Sequence, residues 1–240
     1  MFIRSLFFSA IAVCSLSSIA QTQTQGIDSI SLSYTIKLVG SKLGNATVGR
    51  LETTLTRDNN NYTSQSTTKA QGLAAILMGS DIHLNCEFKT EPGLALSQKY
   101  AGGNKKADKF QVTYDWDTRK IIFSDGESLD MPPGYITDTC NMPFVVALLN
   151  EDHLSENVLY VLEGSEKRIR GYRHKSSNPE TLETPLGAME TIKVTFEREF
   201  KPERTLSFWL SLEHDHVPIK IEDARSSRTI TTLVNTIEPS

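Results

Sequence analysis

Period-two alternation of apolar and polar residues constrains the fold of this 240-residue chain more than any other feature. Between residues 30 and 38 the even positions are apolar, and the odd positions hold Ser31, Ser33, Thr35 and Lys37. Because successive side chains of a β-strand point to opposite faces, this pattern predicts a strand with one buried face. The alternation recurs in 51–55, 84–88, 110–116, 192–196, 206–212, 217–221 and 230–234. Turn-forming residues separate these segments, which is typical of an antiparallel sandwich or barrel.

Helix-forming segments are few. Asn141, Met142 and Pro143 resemble a capped helix start with proline in the first turn, which predicts a helix over 143–149. The apolar run 72–78 fits either a helical turn or a buried strand. One helix of about 10 Å cannot cover the apolar side of a large sheet. We therefore predict an all-β, mainly antiparallel fold, namely a strongly curved sheet or partial β-barrel with one or two short helices.

The N-terminus has the pattern of a cleavable leader. One positive charge at Arg4 precedes the apolar run 6–13. Ser18 and Ala20 are small residues at the two positions that a signal peptidase recognises. The apolar run is shorter than the roughly 20 residues of a membrane span, although an N-terminal anchor is the alternative interpretation. Lipidation of Cys14 is disfavoured because bulky Val13 precedes it. We expect export to the periplasm and no transmembrane segment in the mature chain.

Composition indicates one folded domain and excludes one class of partner. The predicted organisation is a signal peptide at 1–20, a polar spacer at 21–29 and a single β domain at 30–236. With 25 basic against 29 acidic residues, the net charge of −4 argues against a nucleic-acid binder held by phosphate contacts. The basic run 167–175 is interpreted as an exposed strand face that Glu163, Glu166 and Glu180 neutralise, and an anion-binding surface is the alternative.

Cysteine usage predicts one covalent cross-link. Removal of the leader leaves Cys86 and Cys140, and two cysteines in an oxidising compartment permit a single disulfide. Two separate buried thiols are the alternative. Neither cysteine has a cysteine or histidine at metal-ligand spacing. His214 and His216 are weak metal candidates, because a turn between two strands explains them equally well. We expect no metal and no cofactor.

Known catalytic motifs do not occur in the sequence. It lacks a Gly-x-Ser-x-Gly elbow, a phosphate-binding loop and a His-Glu-x-x-His helix. Asp138 lies two residues before Cys140, but nothing near them supplies the general base that would activate a catalytic thiol. The sequence therefore predicts a protein that is not an enzyme.

An ordered series of short motifs resembles one family. They are Tyr34-Thr35-Ile36, Leu43-Gly44-Asn45-Ala46, Pro92-Gly93-Leu94, Tyr114-Asp115-Trp116, Asp138 after the turn Met131-Pro132-Pro133-Gly134, Glu183-Thr184-Pro185-Leu186-Gly187, Phe208-Trp209-Leu210 and Val217-Pro218-Ile219. Together they resemble the exported bacterial proteins grouped as domain of unknown function 3108 (DUF3108), over about residues 30–234. The resemblance implies an envelope location and a largely antiparallel β structure. It implies no established activity and no catalytic residue.

The expected function is binding on the concave side of the sheet. The first hypothesis is a non-enzymatic carrier of an apolar or amphipathic envelope component such as a lipid. The alternatives are an envelope assembly factor that uses a surface patch and, less favoured, a hydrolase of envelope polymer. The candidates for lining or gating the cavity are Leu73, Leu77, Met78, Phe144, Leu148 and Trp209. The sequence assigns neither a specific ligand nor an oligomeric state.

Overall fold

The computed structural model describes residues 29–40, 44–72, 75, 81–104, 109–149, 154 and 158–239. These residues form one 15-stranded sheet, which confirms the predicted all-β class with a large, mainly antiparallel, curved sheet. The predicted signal peptide and nearly all of the polar spacer lie outside the described residues, as do the cavity candidates Leu73, Leu77 and Met78.

The described elements follow the chain in a simple order. The strands are β1 Ser29–Gly40, β2 Gly44–Asp58, β3 Asn61–Ala70, β4 Ile82–Glu91, β5 Leu94–Gly103, β6 Phe110–Asp115, β7 Lys120–Phe123, β8 Ser128–Asp130, β9 Tyr135–Asp138, β10 Val158–Glu163, β11 Arg168–Thr184, β12 Gly187–Arg198, β13 Lys201–Ser211, β14 Pro218–Arg225 and β15 Arg228–Pro239. One α-helix, α1, spans Met142–Leu148, and a 3-10 turn spans Gly164–Glu166.

The sheet consists of two arms that share a centre. Its order is β8-β7-β6-β5-β4-β3-β2-β1-β15-β14-β13-β12-β11-β10-β9, so the first and last strands lie side by side in the middle. Each arm is an antiparallel meander running outward from β1 or β15. The exception is the parallel pair of β9 and β10, which the chain connects through a crossover that includes α1. Parallel neighbours require such a crossover.

The two arms meet through side chains because the sheet curls. Strand β9 contacts β5 although the two strands are far apart in the sheet order. The backbone N–H of Ala95 donates to the Tyr135 hydroxyl over 3.0 Å, and the hydroxyls of Ser97 and Thr137 lie 3.1 Å apart. These bonds hold the free end of one arm against the other and enclose an interior.

The apolar parity of the strands forms that interior. Ile30, Leu32 and Tyr34 are each only 2% exposed, as the alternation predicts. One apolar cluster lies mainly on α1, on β1 and on the arm from β15 to β10. A second cluster lies on β4 to β7, β9 and β10. The observed helix lies one residue earlier than the predicted 143–149. Asn141 precedes it in helical backbone geometry and without the predicted side-chain cap, while its amide Nδ2 donates to Asp138 over 2.9 Å.

Candidate ligand cavity

A cavity of about 290 Å³ lies inside the curled sheet, bounded by α1 and strands from both arms. This volume is at the lower end of the 300–1,000 Å³ typical of small-molecule sites. Its apolar wall is made by side chains of β2, β10, β13, β14 and α1, which are Leu51, Val161, Leu206, Phe208, Ile221, Met142 and Phe144. Such a wall favours an apolar chain, because burying that chain removes apolar surface from water.

Charged side chains line the same cavity. Glu163 and Arg170 come from β10 and β11, and Arg204 and Asp223 come from β13 and β14. The Arg170 Nε lies 2.6 Å from the Glu163 carboxylate. Arg204 donates to both carboxylate oxygens of Asp223, from Nε over 3.0 Å and from Nη2 over 2.9 Å. The cavity therefore combines an apolar wall with paired charges.

Ion pairing keeps Asp223 in its charged form. Burial alone would raise the pKa of this carboxyl, but hydrogen bonds from Arg225 and Arg204 outweigh that effect and lower the pKa. The side chains of Arg204 and Asp223 are only 16% and 21% exposed. A bidentate pair in this partly buried setting is rigid, since each partner fixes the orientation of the other.

A buried polar cluster positions the start of α1. Asp138 is fully buried and accepts hydrogen bonds from the backbone N–H groups of Cys140 and Asn141, over 3.0 Å and 2.8 Å. The Asn141 amide and the Tyr114 hydroxyl also donate to it. Burial nevertheless raises the pKa of Asp138 to about 6. These bonds organise the turn between β9 and α1.

The predicted disulfide between Cys86 and Cys140 is present. It connects β4 to the turn before α1, with 6.3 Å between the two α-carbons. Cys86 is fully buried, Cys140 is 6% exposed, and Cys140 lines the cavity. The cross-link therefore ties the helix that bounds the cavity to the wall of the sheet.

The remaining cavity candidates have different positions. Phe144 lines the 290 Å³ cavity, and with Leu148 it also borders a second cavity of about 150 Å³. Trp209 lines neither of these. It lies 2% exposed on β13, with the ammonium groups of Lys193 and Lys220 at 4.6 Å and 3.9 Å from its ring centre. Those lysines come from the neighbouring strands β12 and β14 and cover the ring by cation–π contact.

The two histidine candidates lie in the turn between β13 and β14. Among the described residues, His214 and His216 belong to no group of three side chains that is close enough to hold a metal ion. The group that does meet this criterion within the same residues is Cys86, Asp138 and Cys140, and its two sulfur atoms already form the disulfide.

The basic run is divided between the two faces of β11. Arg170 and Tyr172 line the cavity, whereas Arg173 pairs with Glu199 and Lys175 with Glu197. Lys167 contacts Asp125 and Glu127. Of the three glutamates expected to neutralise the run, Glu163 and Glu166 contact Arg170, and Glu180 pairs instead with Lys193 on β12. Glu180 pairs with a β12 residue because the register between β11 and β12 places it beside residues 190 to 192.

The charged residues of the cavity were not predicted as site residues, although the sequence carries a signal for them. Arg204 shares the parity of Leu206 and Phe208, and Asp223 shares that of Ile219 and Ile221. A charged residue on the apolar parity of a strand faces the interior, where it needs a partner of opposite charge.

Comparisons with known proteins agree with this architecture. A family model described as "Protein of unknown function (DUF3108)" matches residues 33–230. A solved β-barrel-like protein of domain of unknown function DUF1849 from Brucella abortus aligns with a TM-score of 0.54 and 9% identity, over 90% of this chain and 99% of that chain. This likeness supports the fold. A search of curated proteins found no match.

A second solved structure is less alike. A putative outer membrane lipoprotein-sorting protein domain from Vibrio parahaemolyticus aligns with a TM-score of 0.25 and 8% identity, over 89% of this chain and 86% of that chain. We draw no conclusion from an overlap this low. None of the described helices has the length and hydropathy that crossing a membrane would require.

Proposed function

Because the chain belongs to the DUF3108 family, whose function is unknown, we propose its function from the geometry of the cavity. The protein is a non-enzymatic binding protein that holds the apolar part of an amphipathic cell-envelope component inside the curled sheet. One observation carries this proposal, namely the 290 Å³ cavity with its apolar wall and charged side chains. A cavity of this composition favours a ligand with one apolar and one polar end.

An envelope location supports the proposal. The N-terminal pattern of charge, apolar run and small residues is that of a signal peptide at 1–20. Disulfides persist in oxidising compartments such as the periplasm, and the Cys86–Cys140 bond fits that environment. We propose that the mature protein works in the periplasm.

The competing functions have weaker support. Among the described residues, no strand or helix carries more than one large exposed apolar side chain; these side chains are Val39, Ile122, Leu148, Leu186, Phe200 and Leu212. An exposed apolar face along one element, which would favour an assembly surface, is therefore not found in this part of the chain. The two carboxylates that line the cavity, Glu163 and Asp223, are each paired with an arginine. That pairing suits ligand positioning better than acid catalysis, which needs a proton held on a carboxyl group.

Filling the cavity should abolish binding of an alkyl chain. Thr68 lines the cavity, so phenylalanine at this position occupies the space that the chain needs. We expect wild-type protein to bind dodecyl maltoside below its critical micelle concentration with a negative heat-capacity change, and Thr68→Phe to weaken binding at least about tenfold. Isothermal titration calorimetry at several temperatures measures both quantities.

Thr63→Phe is the matched control for this test. Thr63 lies on the same strand as Thr68 but on the opposite parity, so the same substitution leaves the cavity open. Urea unfolding of both variants verifies that they fold. Wild-type protein that does not bind the probe, or equal binding by the Thr68→Phe and Thr63→Phe variants, would contradict the proposed function.

A further inference from the structure

We propose that the cavity recognises an anionic head group, so that the ligand is an amphiphile with a single alkyl chain and a phosphate or carboxylate head. This inference rests on the proposed function and specifies the chemical class of the ligand. It is carried by a cluster of three arginines on the inner face of the sheet, Arg170, Arg198 and Arg204. Two of them line the cavity, and the third is adjacent.

Arg198 shares a face with the cavity. In the ladder between β11 and β12 it lies directly opposite Tyr172, which lines the cavity and is 4% exposed. Residues directly opposite each other in an antiparallel pair point to the same face. Arg198 is half-buried and lies beside the cavity rather than in its wall: it lines a neighbouring cleft, and the charges of Arg170 and Arg204 act on it.

The cluster contains more positive than negative charge. Arg170 is paired with Glu163, and Arg204 with Asp223. Arg198 forms no ion pair with a carboxylate in the part of the chain that the structure describes. Glu166 also contacts Arg170, and Arg225 contacts Asp223, so the cluster with its contacts holds four guanidinium groups and three carboxylates.

Two arginines and one glutamate, namely Arg170, Arg204 and Glu163, act on the charge of Arg198. Burial lowers the pKa of Arg198, and the nearby charges of Arg170 and Arg204 lower it further. A group destabilised by like charges gains from an anion placed between them. The guanidinium fork also binds phosphate and carboxylate oxygens in a bidentate manner, which fixes the orientation of a head group. The alkyl chain then extends along the apolar wall of Leu206 and Phe208.

Titration with dodecyl compounds that differ only in the head group tests the inference. Dodecyl phosphate, dodecanoate, dodecyl maltoside and dodecyltrimethylammonium are compared below their critical micelle concentrations at low ionic strength. We expect wild-type protein to bind at least one anion about tenfold or more tighter than the maltoside, since hydrogen bonds to charged groups are strong. If dodecyl phosphate binds more tightly than dodecanoate, the head group is a phosphate; the reverse order identifies a carboxylate.

Arg198→Gln should remove this preference, because it deletes the unpaired charge and keeps a polar side chain. Arg50→Gln is the matched control, since Arg50 is exposed on β2 and its loss changes the net charge equally. We expect Arg198→Gln to bind the anion and the maltoside with affinities within about threefold of each other, and Arg50→Gln to behave like wild type.

Three results would overturn the inference and leave the proposed function intact. They are a preference for the anion that persists in Arg198→Gln, equal binding of the anion and the maltoside by wild type, and equal binding of the cation and the anion. In each case binding of the maltoside would still support a cavity for an alkyl chain. Failure of wild type to bind any of the four compounds would overturn both proposals.

Discussion

Replacing Cys86 and Cys140 together by alanine should lower the free energy of unfolding by about 4 kcal/mol. The disulfide closes a loop with a sequence separation of 54 residues, and its removal restores that loop's conformational freedom to the unfolded chain. The expected loss is large for one domain, because the whole stability of such a domain is only about 5–15 kcal/mol. Urea unfolding of both proteins without reductant measures the difference.

Reduction provides the control for this prediction. Dithiothreitol should lower the stability of the wild-type protein to nearly that of the double variant and leave the variant unchanged. A double variant within about 1 kcal/mol of the oxidised wild type would show that the disulfide contributes little stability.

The stability of the wild-type protein relative to Asp138→Asn should decrease by about 3 kcal/mol as the pH rises from 3.5 to 7.5. Burial raises the pKa of the folded-state carboxyl from 3.8 to about 6. Below pH 3.8 the carboxyl is protonated in both states, so it costs nothing. Between the two pKa values the unfolded state releases the proton first, and stability falls until the folded carboxyl also ionises above pH 6. The asparagine side chain of the Asp138→Asn variant does not ionise, so the stability of the variant has no such pH dependence at this position.

Urea unfolding across this pH range, with the disulfide oxidised, measures that difference. The same substitution at the exposed Asp117 is the matched control for the loss of one carboxylate. If the difference between wild type and Asp138→Asn stayed constant, or grew with pH, then burial would not control the titration of Asp138.

Local pattern was sufficient to predict the strands but not their long-range pairing. The parity of Ile30, Leu32 and Tyr34 predicted which face of β1 is buried, because burial acts on each strand separately. The pairing of β1 with β15 depends on residues about 200 positions apart, and no turn signal marks it. The parallel pairing of β9 with β10 was missed for a similar reason, since short strands around a helix carry no signature of direction.

The candidate site was predicted only in its apolar part. Proline at the helix start and the apolar run after it located α1, and with it Phe144 at the cavity. Arg170 was missed because residues 167–175 were interpreted as one exposed face, whereas alternate residues of a strand point to opposite sides. Trp209 was predicted as a cavity residue, but it lines neither cavity and is covered by two lysine side chains, which depends on the pairing of neighbouring strands.

Mass spectrometry of the mature protein, isolated from its native envelope without detergent, tests the central claim most directly. Under native conditions the wild-type protein should carry a bound small molecule with an apolar chain, which organic solvent releases for identification. The Thr68→Phe variant should be isolated at the mass of the protein alone, and Thr63→Phe should carry the same molecule as wild type. Wild-type protein found only at its own mass, or a Thr68→Phe variant that keeps the molecule, would contradict the claim that this cavity binds an envelope amphiphile.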